Sequence, residues 1–126
     1  MTNAKNTLEF SFKSTGVTYA QTPGGGGVTH INFEGTASGF GTVLGTLSFF
    51  ADAQGATSGR THWVGTAYLD NGDEVHGSSD GAWQKSGKHQ WRVRGTLPTS
   101  TGAVFQSDGV VSLDGRTYTG FLTEWA

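Results

Sequence analysis

Three side chains of this sequence could move a proton or polarise a substrate oxygen: His62, Tyr68 and Glu124. Imidazole changes its charge near neutral pH, a phenol donates a hydrogen bond to a carbonyl oxygen, and a carboxyl group can act as a general acid or base. These residues are the predicted catalytic group. Each also has a structural explanation, because lone histidines commonly make ordinary hydrogen bonds and residues near a chain end usually reach water.

Aromatic side chains predict where a ligand would bind, because aromatic rings dominate apolar pockets. The same rings also fill the core of any small protein. We assign Trp63 and Trp125 to that core. The residues predicted to contact a ligand are Trp83, His89, Trp91, Phe105 and Tyr118.

Two other patterns suggest chemistry but are better explained by structure. The segment Gly77-Ser78-Ser79-Asp80-Gly81 matches the nucleophile motif of serine hydrolases, which needs a turn from a strand into a helix. Here the motif lies inside a predicted strand, so we reject a hydrolase. The four histidines, at positions 30, 62, 76 and 89, have neither H-x-H nor H-x-x-x-H spacing. We therefore expect no metal site, and no cofactor is predicted.

The composition indicates one small domain, residues 1–126, with little charge. The net charge is −2 and only 14% of residues are charged, so neither a nucleic acid nor a membrane is an expected partner. The chain has no cysteine and its first residues are polar. These two features predict a cytoplasmic protein without disulfides or a secretory signal.

Turn signals divide the central stretch, residues 60–97, into three strands. Asn71-Gly72 is typical of a two-residue type I′ turn, which would place Tyr68 opposite Val75 and His62 opposite Gly81. A three-residue turn at 85–87 would place Trp83 opposite His89.

Because side chains alternate along a strand, this register assigns each residue to one of two faces, and a slip of one residue would reverse the assignment. The predicted inward face contains His62, Val64, Tyr68, Val75, Trp83, His89, Trp91 and Val93. The predicted outward face contains Glu74, His76, Asp80, Arg92 and Arg94 beside Trp63 and Leu69, with Asp80 opposite Arg92.

Glycine is the most informative residue type, with 21 of 126 positions, against an average near 7%. Glycines spread among aromatic and β-branched residues are typical of coiled strands. We therefore predict an all-β fold, a single antiparallel eight-stranded β-barrel with up-and-down connections. The strands outside the central stretch are expected at 7–13, 28–36, 42–50, 103–113 and 116–125, with 17–21 as an optional short strand. Asp114-Gly115 is a second type I′ turn signal and would join the last two strands in a hairpin. Its register places Glu124 on one face with Phe105, Tyr118 and Leu122.

Several segments resemble the allene-oxide-cyclase-like barrel superfamily, which includes dirigent proteins and spirotetronate cyclases. They are Phe33-Glu-Gly-Thr-Ala-Ser-Gly, Gly41-Thr-Val-Leu-Gly-Thr-Leu-Ser-Phe, Tyr68 with Gly72 and Gly77, and Gly120-Phe-Leu-Thr-Glu. The resemblance implies a barrel with an apolar cavity and a cofactor-free cyclisation steered by shape. It also implies a homo-oligomer, for which Leu44 and Phe50 are candidate contact residues.

Three functions are compatible with this sequence. The first is a barrel that binds an apolar small molecule in its lumen and acts as a cofactor-independent cyclase or isomerase. The second is a non-catalytic, lipocalin-like carrier or sensor of such a molecule. The third is a structural barrel whose core is filled by its own side chains.

Overall fold

The computed structural model describes residues 7–125 and confirms the predicted all-β fold. Eight strands follow one another along the chain: β1 (Thr7–Gln21), β2 (Gly27–Ala37), β3 (Gly41–Ala51), β4 (Ser58–Tyr68), β5 (Glu74–Gly87), β6 (Gln90–Pro98), β7 (Val104–Ser112) and β8 (Thr117–Glu124). No helix occurs among residues 7–125, so no helical segment there could cross a membrane.

Each strand pairs antiparallel with the next one, and β8 pairs with β1, so the sheet closes into an up-and-down barrel. In a closed barrel, one face of every strand points to the interior and the other to the outside, so alternate side chains are inside. The buried apolar residues come from all eight strands and form one core: Phe10, Phe12, Phe33, Ala37, Val43, Leu47, Ala67, Val75, Trp83, Val93, Phe105, Val111, Tyr118 and Leu122.

The middle of the barrel is filled by rings that reach across it. Phe12 on β1 stacks on Trp63 on β4, with ring centroids 5.5 Å apart and planes at 6°. A side chain at Gly65 would come within 2.8 Å of the indole, and one at Gly45 would also overlap it. Glycine at these two positions therefore makes room for Trp63. It packs against the core, as its assignment from the sequence predicted, and does not lie on the outward face given by the predicted register.

The turn between β4 and β5 explains why part of the predicted register is wrong. Gly72 has a φ of 95°, whereas Asn71 has no positive φ, so the turn is not type I′. Its loop is one residue longer than expected, because Leu69 pairs with Asp73 through a 2.9 Å hydrogen bond. Tyr68 therefore lies opposite Glu74 and not Val75.

The turn between β5 and β6 also differs from the prediction. The strands are joined at 88–89, with His89 at a φ of 54° and a bulge near the end of β5. Trp83 therefore lies opposite Val93 and not His89. Asp80 lies opposite Thr96 and not Arg92.

The β7–β8 hairpin has the predicted register. Phe105 lies opposite Glu124, and Val111 lies opposite Tyr118. Its positive φ, 54°, falls on Arg116 and not on the Asp114-Gly115 pair, so only the turn type was wrong.

A surface ion pair on β6 and β7 makes part of the stability dependent on pH. Asp108 accepts hydrogen bonds from Arg92 Nε at 2.9 Å and Nη2 at 2.7 Å. The Arg92 hydrogen bond lowers the pKa of Asp108 below its ordinary value of 3.8. A carboxyl group with a lower pKa in the folded state stabilises the fold above its unfolded-state pKa and loses that effect as the pH falls through the folded-state pKa.

We therefore expect the Asp108→Asn variant to lose less stability than the unmodified protein when the pH falls from about 4 towards 2. The effect is small because both side chains are about half exposed. Urea unfolding at several pH values measures it. Asp114→Asn is the control, because Asp114 forms no ion pair within residues 7–125. Equal acid sensitivity of Asp108→Asn and the unmodified protein would contradict the prediction.

Candidate ligand site at the open end of the barrel

The two ends of the barrel differ in depth and in lining. We call the end that carries the β1–β2, β3–β4, β5–β6 and β7–β8 turns the mouth, and the opposite end the base. A pocket of about 750 Å³ opens at the mouth. A much smaller cavity of about 80 Å³ lies in the half towards the base. Of these two, the mouth pocket has the size of a typical site for a small organic ligand.

The floor of the mouth pocket is a layer of apolar side chains on the inner face. Ile31, Phe33, Phe49, Trp91 and Val111 contribute to it. The ring of Phe49 packs edge-on against Trp91, with centroids 6.5 Å apart. Phe33 in this floor and Leu47 below it are almost completely buried, so the pocket ends there.

Trp83 also lines the pocket and is held in place by a hydrogen bond. Its Nε1 donates to the backbone oxygen of Phe50 at 2.9 Å. Phe50 lies near the end of β3, beyond the last β3–β4 pair at Phe49. The indole therefore bonds to β3 just past its last residue paired with β4, and the bond keeps the ring fixed on one side of the mouth.

One wall of the mouth is formed by the far ends of β1 and β2, which project beyond β8. The sequence predicted a strand at 7–13 and an optional short strand at 17–21, but β1 is continuous and contains a bulge between Ser14 and Gly16. A bulge inserts one extra residue into the strand. Beyond it, the even-numbered and odd-numbered residues therefore exchange faces. Inward positions are therefore even-numbered before the bulge and odd-numbered after it.

The bulge turns two large side chains towards the mouth. Val17 lies opposite Ile31 and Tyr19 lies opposite Thr29, on the face that continues the barrel interior. Tyr19 lines the pocket and is nevertheless 77% exposed, and Val17 is 46% exposed. Two apolar side chains thus stand over an apolar floor without covering each other.

The walls of the mouth pocket carry little charge. Within residues 7–125, Tyr19 and Arg116 are the only ionisable side chains that line it. Arg116 lies at the rim and donates from Nη1 to the backbone oxygen of Leu113 at 2.5 Å. A phenol and a guanidinium can both donate hydrogen bonds to a ligand.

No charged side chain among residues 7–125 lines the cavity near the base. Tyr118 lines it together with the hydroxyls of Thr61, Ser79 and Ser107. Burial raises the pKa of the Tyr118 hydroxyl above its usual range, and the negative charge of Asp108 raises it further. The hydroxyl therefore remains protonated and can donate a hydrogen bond. A cavity of this volume has room for a few water molecules.

Two of the three predicted catalytic side chains lie on the outside of the barrel. His62 is opposite Asp80, and its Nδ1 is 2.9 Å from Asp80 Oδ1. Tyr68 is 43% exposed at the end of β4. The prediction that His62, Val64 and Tyr68 face inward was wrong, because the longer β4–β5 turn shifts β4 by one residue and reverses its faces.

The other predicted polar residues lie far from the mouth pocket or outside its lining. Glu124 is on the predicted face, opposite Phe105, but it is exposed at the base. His89 is exposed in the β5–β6 turn and does not face inward. The structure therefore does not bring His62, Tyr68 and Glu124 together, and their chemical roles stay predictions.

The aromatic predictions agree better with the structure. Trp83 and Trp91 face the mouth pocket, whereas Phe105 and Tyr118 face the cavity near the base. Trp125, assigned to the core from the sequence, is 55% exposed. Sequence reasoning missed Val17 and Tyr19, although the change from even to odd apolar positions after Lys13 is a signal of the bulge.

Within residues 7–125 no three histidine, aspartate or glutamate side chains are grouped as metal ligands. No protein-family model, curated protein or solved structure matches this chain. The resemblance to the allene-oxide-cyclase-like superfamily therefore stays a prediction, and the site must be interpreted from its own geometry.

Proposed function

We propose that this protein binds a small apolar molecule in the mouth pocket and acts as a carrier or sensor. The ligand would lie on the aromatic floor formed by Phe49, Trp83 and Trp91, beneath the wall that carries Val17 and Tyr19. This places the ligand nearer the mouth than the sequence suggested, because the middle of the lumen is occupied by the protein's own side chains.

The observation that carries the proposal is the exposure of Tyr19 above an apolar pocket. Exposed apolar side chains are common when scattered singly, but a contiguous group in a concavity marks a binding site. Here Val17 and Tyr19 are brought over the floor by the bulge in β1. A ligand between wall and floor would remove both from water, which is the main source of affinity for apolar molecules.

The charge distribution supports an uncharged ligand, or one with a single polar group at the rim. The floor offers no ionised partner, and an unpaired charge buried there would be costly. Arg116 at the rim could donate a hydrogen bond to a ligand oxygen. We place the protein in the cytoplasm as part of the same proposal, because the chain has no cysteine.

A cofactor-free cyclase or isomerase acting in the same pocket is the second candidate. One observation favours it: the pocket walls are apolar and nearly uncharged, which suits catalysis by holding a reactive conformer. Among residues 7–125, the ionisable groups that could polarise a substrate oxygen there are the hydroxyl of Tyr19 and the guanidinium of Arg116. Turnover of a polyunsaturated substrate would separate this candidate from a carrier.

Binding can be tested with N-phenyl-1-naphthylamine, a neutral apolar dye whose emission rises in apolar surroundings. We expect saturable binding and quenching of tryptophan emission, because Trp83 and Trp91 line the pocket. Trp91→Phe should lose much of the quenching. Trp125→Phe is the matched control and should retain it, since Trp125 does not line the pocket. Absence of saturable dye binding would contradict the proposal. So would an equal loss of tryptophan quenching in Trp91→Phe and Trp125→Phe.

A further inference from the structure

The strand β1 is longer than the strand that pairs with its outer edge. β8 pairs with residues 7–13 of β1, and the last contact on that side is Ser14 N–H to Arg116 O at 2.8 Å. Residues 15–21 continue as a strand that pairs only with β2. Within residues 7–125, no other strand covers the second edge of this segment.

The unpaired edge offers both donors and acceptors. Thr22 donates its backbone N–H to Gly26 O at 3.1 Å, which is the direction of β2. Because backbone groups alternate along a strand, Thr18 and Ala20 also point towards β2. Val17, Tyr19 and Gln21 then direct their N–H and C=O groups away from the barrel, where a further strand can meet them.

This edge lacks the features that normally prevent strand addition. Natural proteins protect exposed edges with charged residues, with proline or with short strands. Residues 14–33 contain no aspartate, glutamate, lysine or arginine, and Pro23 lies in the turn beyond the strand. The edge consists instead of residues that favour strands, among them Thr15, Val17, Thr18 and Tyr19.

We propose that the edge at 15–21 pairs antiparallel with the same edge of a second copy of this chain. A two-fold axis beside Thr18 places residue 15 of one copy opposite residue 21 of the other. All seven residues of the free segment are then paired. Val17 of each copy then exchanges backbone hydrogen bonds with Tyr19 of the other. A β-branched residue opposite an aromatic one is a favourable cross-strand pair.

A second copy suits this edge better than an unrelated strand for two reasons. An isologous contact places this segment against a copy of itself, so charged residues on it would face like charges across the axis, but residues 15–21 contain no aspartate, glutamate, lysine or arginine. The β7–β8 turn, whose Arg116 contacts Ser14, ends the free edge on one side and restricts pairing to a short segment. Val17 and Tyr19 of the second copy would extend the wall above each mouth pocket.

The pairing can be tested by cysteine cross-linking, since the chain has no cysteine of its own. Thr18 would lie in a non-hydrogen-bonded pair with its twin, with Cα atoms about 4.5 Å apart, a separation that a disulfide can span. Under mild oxidation we expect Thr18→Cys to give a covalent dimer at least about tenfold faster than two controls. Ala20→Cys tests the register, and Thr119→Cys tests an exposed threonine on a fully paired strand.

Sedimentation velocity of the unmodified chain and of Thr18→Lys completes the test. We expect a dimer for the unmodified chain and a monomer for the variant, because two lysines would meet at the axis. A monomer at millimolar concentration overturns the proposal. Equal cross-linking of Thr18→Cys and Thr119→Cys overturns it as well, as does a dimer that survives Thr18→Lys. A monomer that pairs this edge with an extended peptide also overturns it.

Discussion

Replacing Leu47 with alanine is expected to lower the free energy of unfolding by about 3 kcal/mol. Leu47 lies in the middle of β3 on the inner face and is only 1% exposed. Removing its branched end would enlarge the cavity of about 80 Å³ that Leu47 lines, where neighbouring strands are held by hydrogen bonds on both sides and cannot collapse inward. Urea unfolding followed by tryptophan emission measures the loss.

Leu44→Ala is a matched control on the same strand. Leu44 is on the outer face and is 44% exposed, so its truncation removes little packing. We expect a change within about 0.5 kcal/mol. A similar loss for the two variants would mean that the inner and outer faces of β3 are not distinguished as the barrel requires. A larger loss for Leu44→Ala would indicate that this residue is covered in solution.

Replacing Tyr19 with serine is expected to weaken binding of N-phenyl-1-naphthylamine by about tenfold, or about 1.4 kcal/mol. The phenol is exposed in the absence of a ligand and would be covered when one binds, so its loss removes favourable burial of an aromatic ring. Stability should change little, because the ring packs against few neighbours. The same dye titration on the two proteins measures the ratio of dissociation constants.

Tyr68→Ser is the control for that experiment. Tyr68 is also an exposed tyrosine, but it lies on the outer face of β4, away from the mouth pocket. We expect unchanged dye binding. If Tyr68→Ser weakened binding and Tyr19→Ser did not, the ligand would bind outside the mouth. The catalytic role first assigned to Tyr68 from the sequence would then regain support.

The fold could be predicted because the pattern of side chains is local. Phe10 and Phe12 alternate with polar residues, and glycines recur in the middle of strands where rings such as Trp63 need space. These features favour coiled strands in a sheet that encloses a single core. They therefore predicted an up-and-down barrel, together with the inward positions of Trp83, Trp91, Phe105 and Tyr118.

The faces of β4 could not be predicted in the same way, because apolar residues occur on both of its sides. Trp63 and Ala67 face inward, while Val64 and Tyr68 face outward. Only the length of the β4–β5 turn decides between these alternatives, and Asn71-Gly72 is compatible with two lengths. Since the side-chain period of a strand is two residues, one additional turn residue moved His62 and Tyr68 out of the barrel.

By itself the sequence determined the strand content, the closed barrel and the aromatic character of its interior, since these depend on residue types and their alternation. The tertiary structure alone decided which side chains surround the mouth. The bulge between Ser14 and Gly16 directs Tyr19 towards the pocket, and the longer turn directs Tyr68 away from it. Both depend on backbone conformations that are set by pairing with neighbouring strands. Locally, the bulge is marked only by the change from even to odd apolar positions after Lys13, and the turn sequence fits two loop lengths.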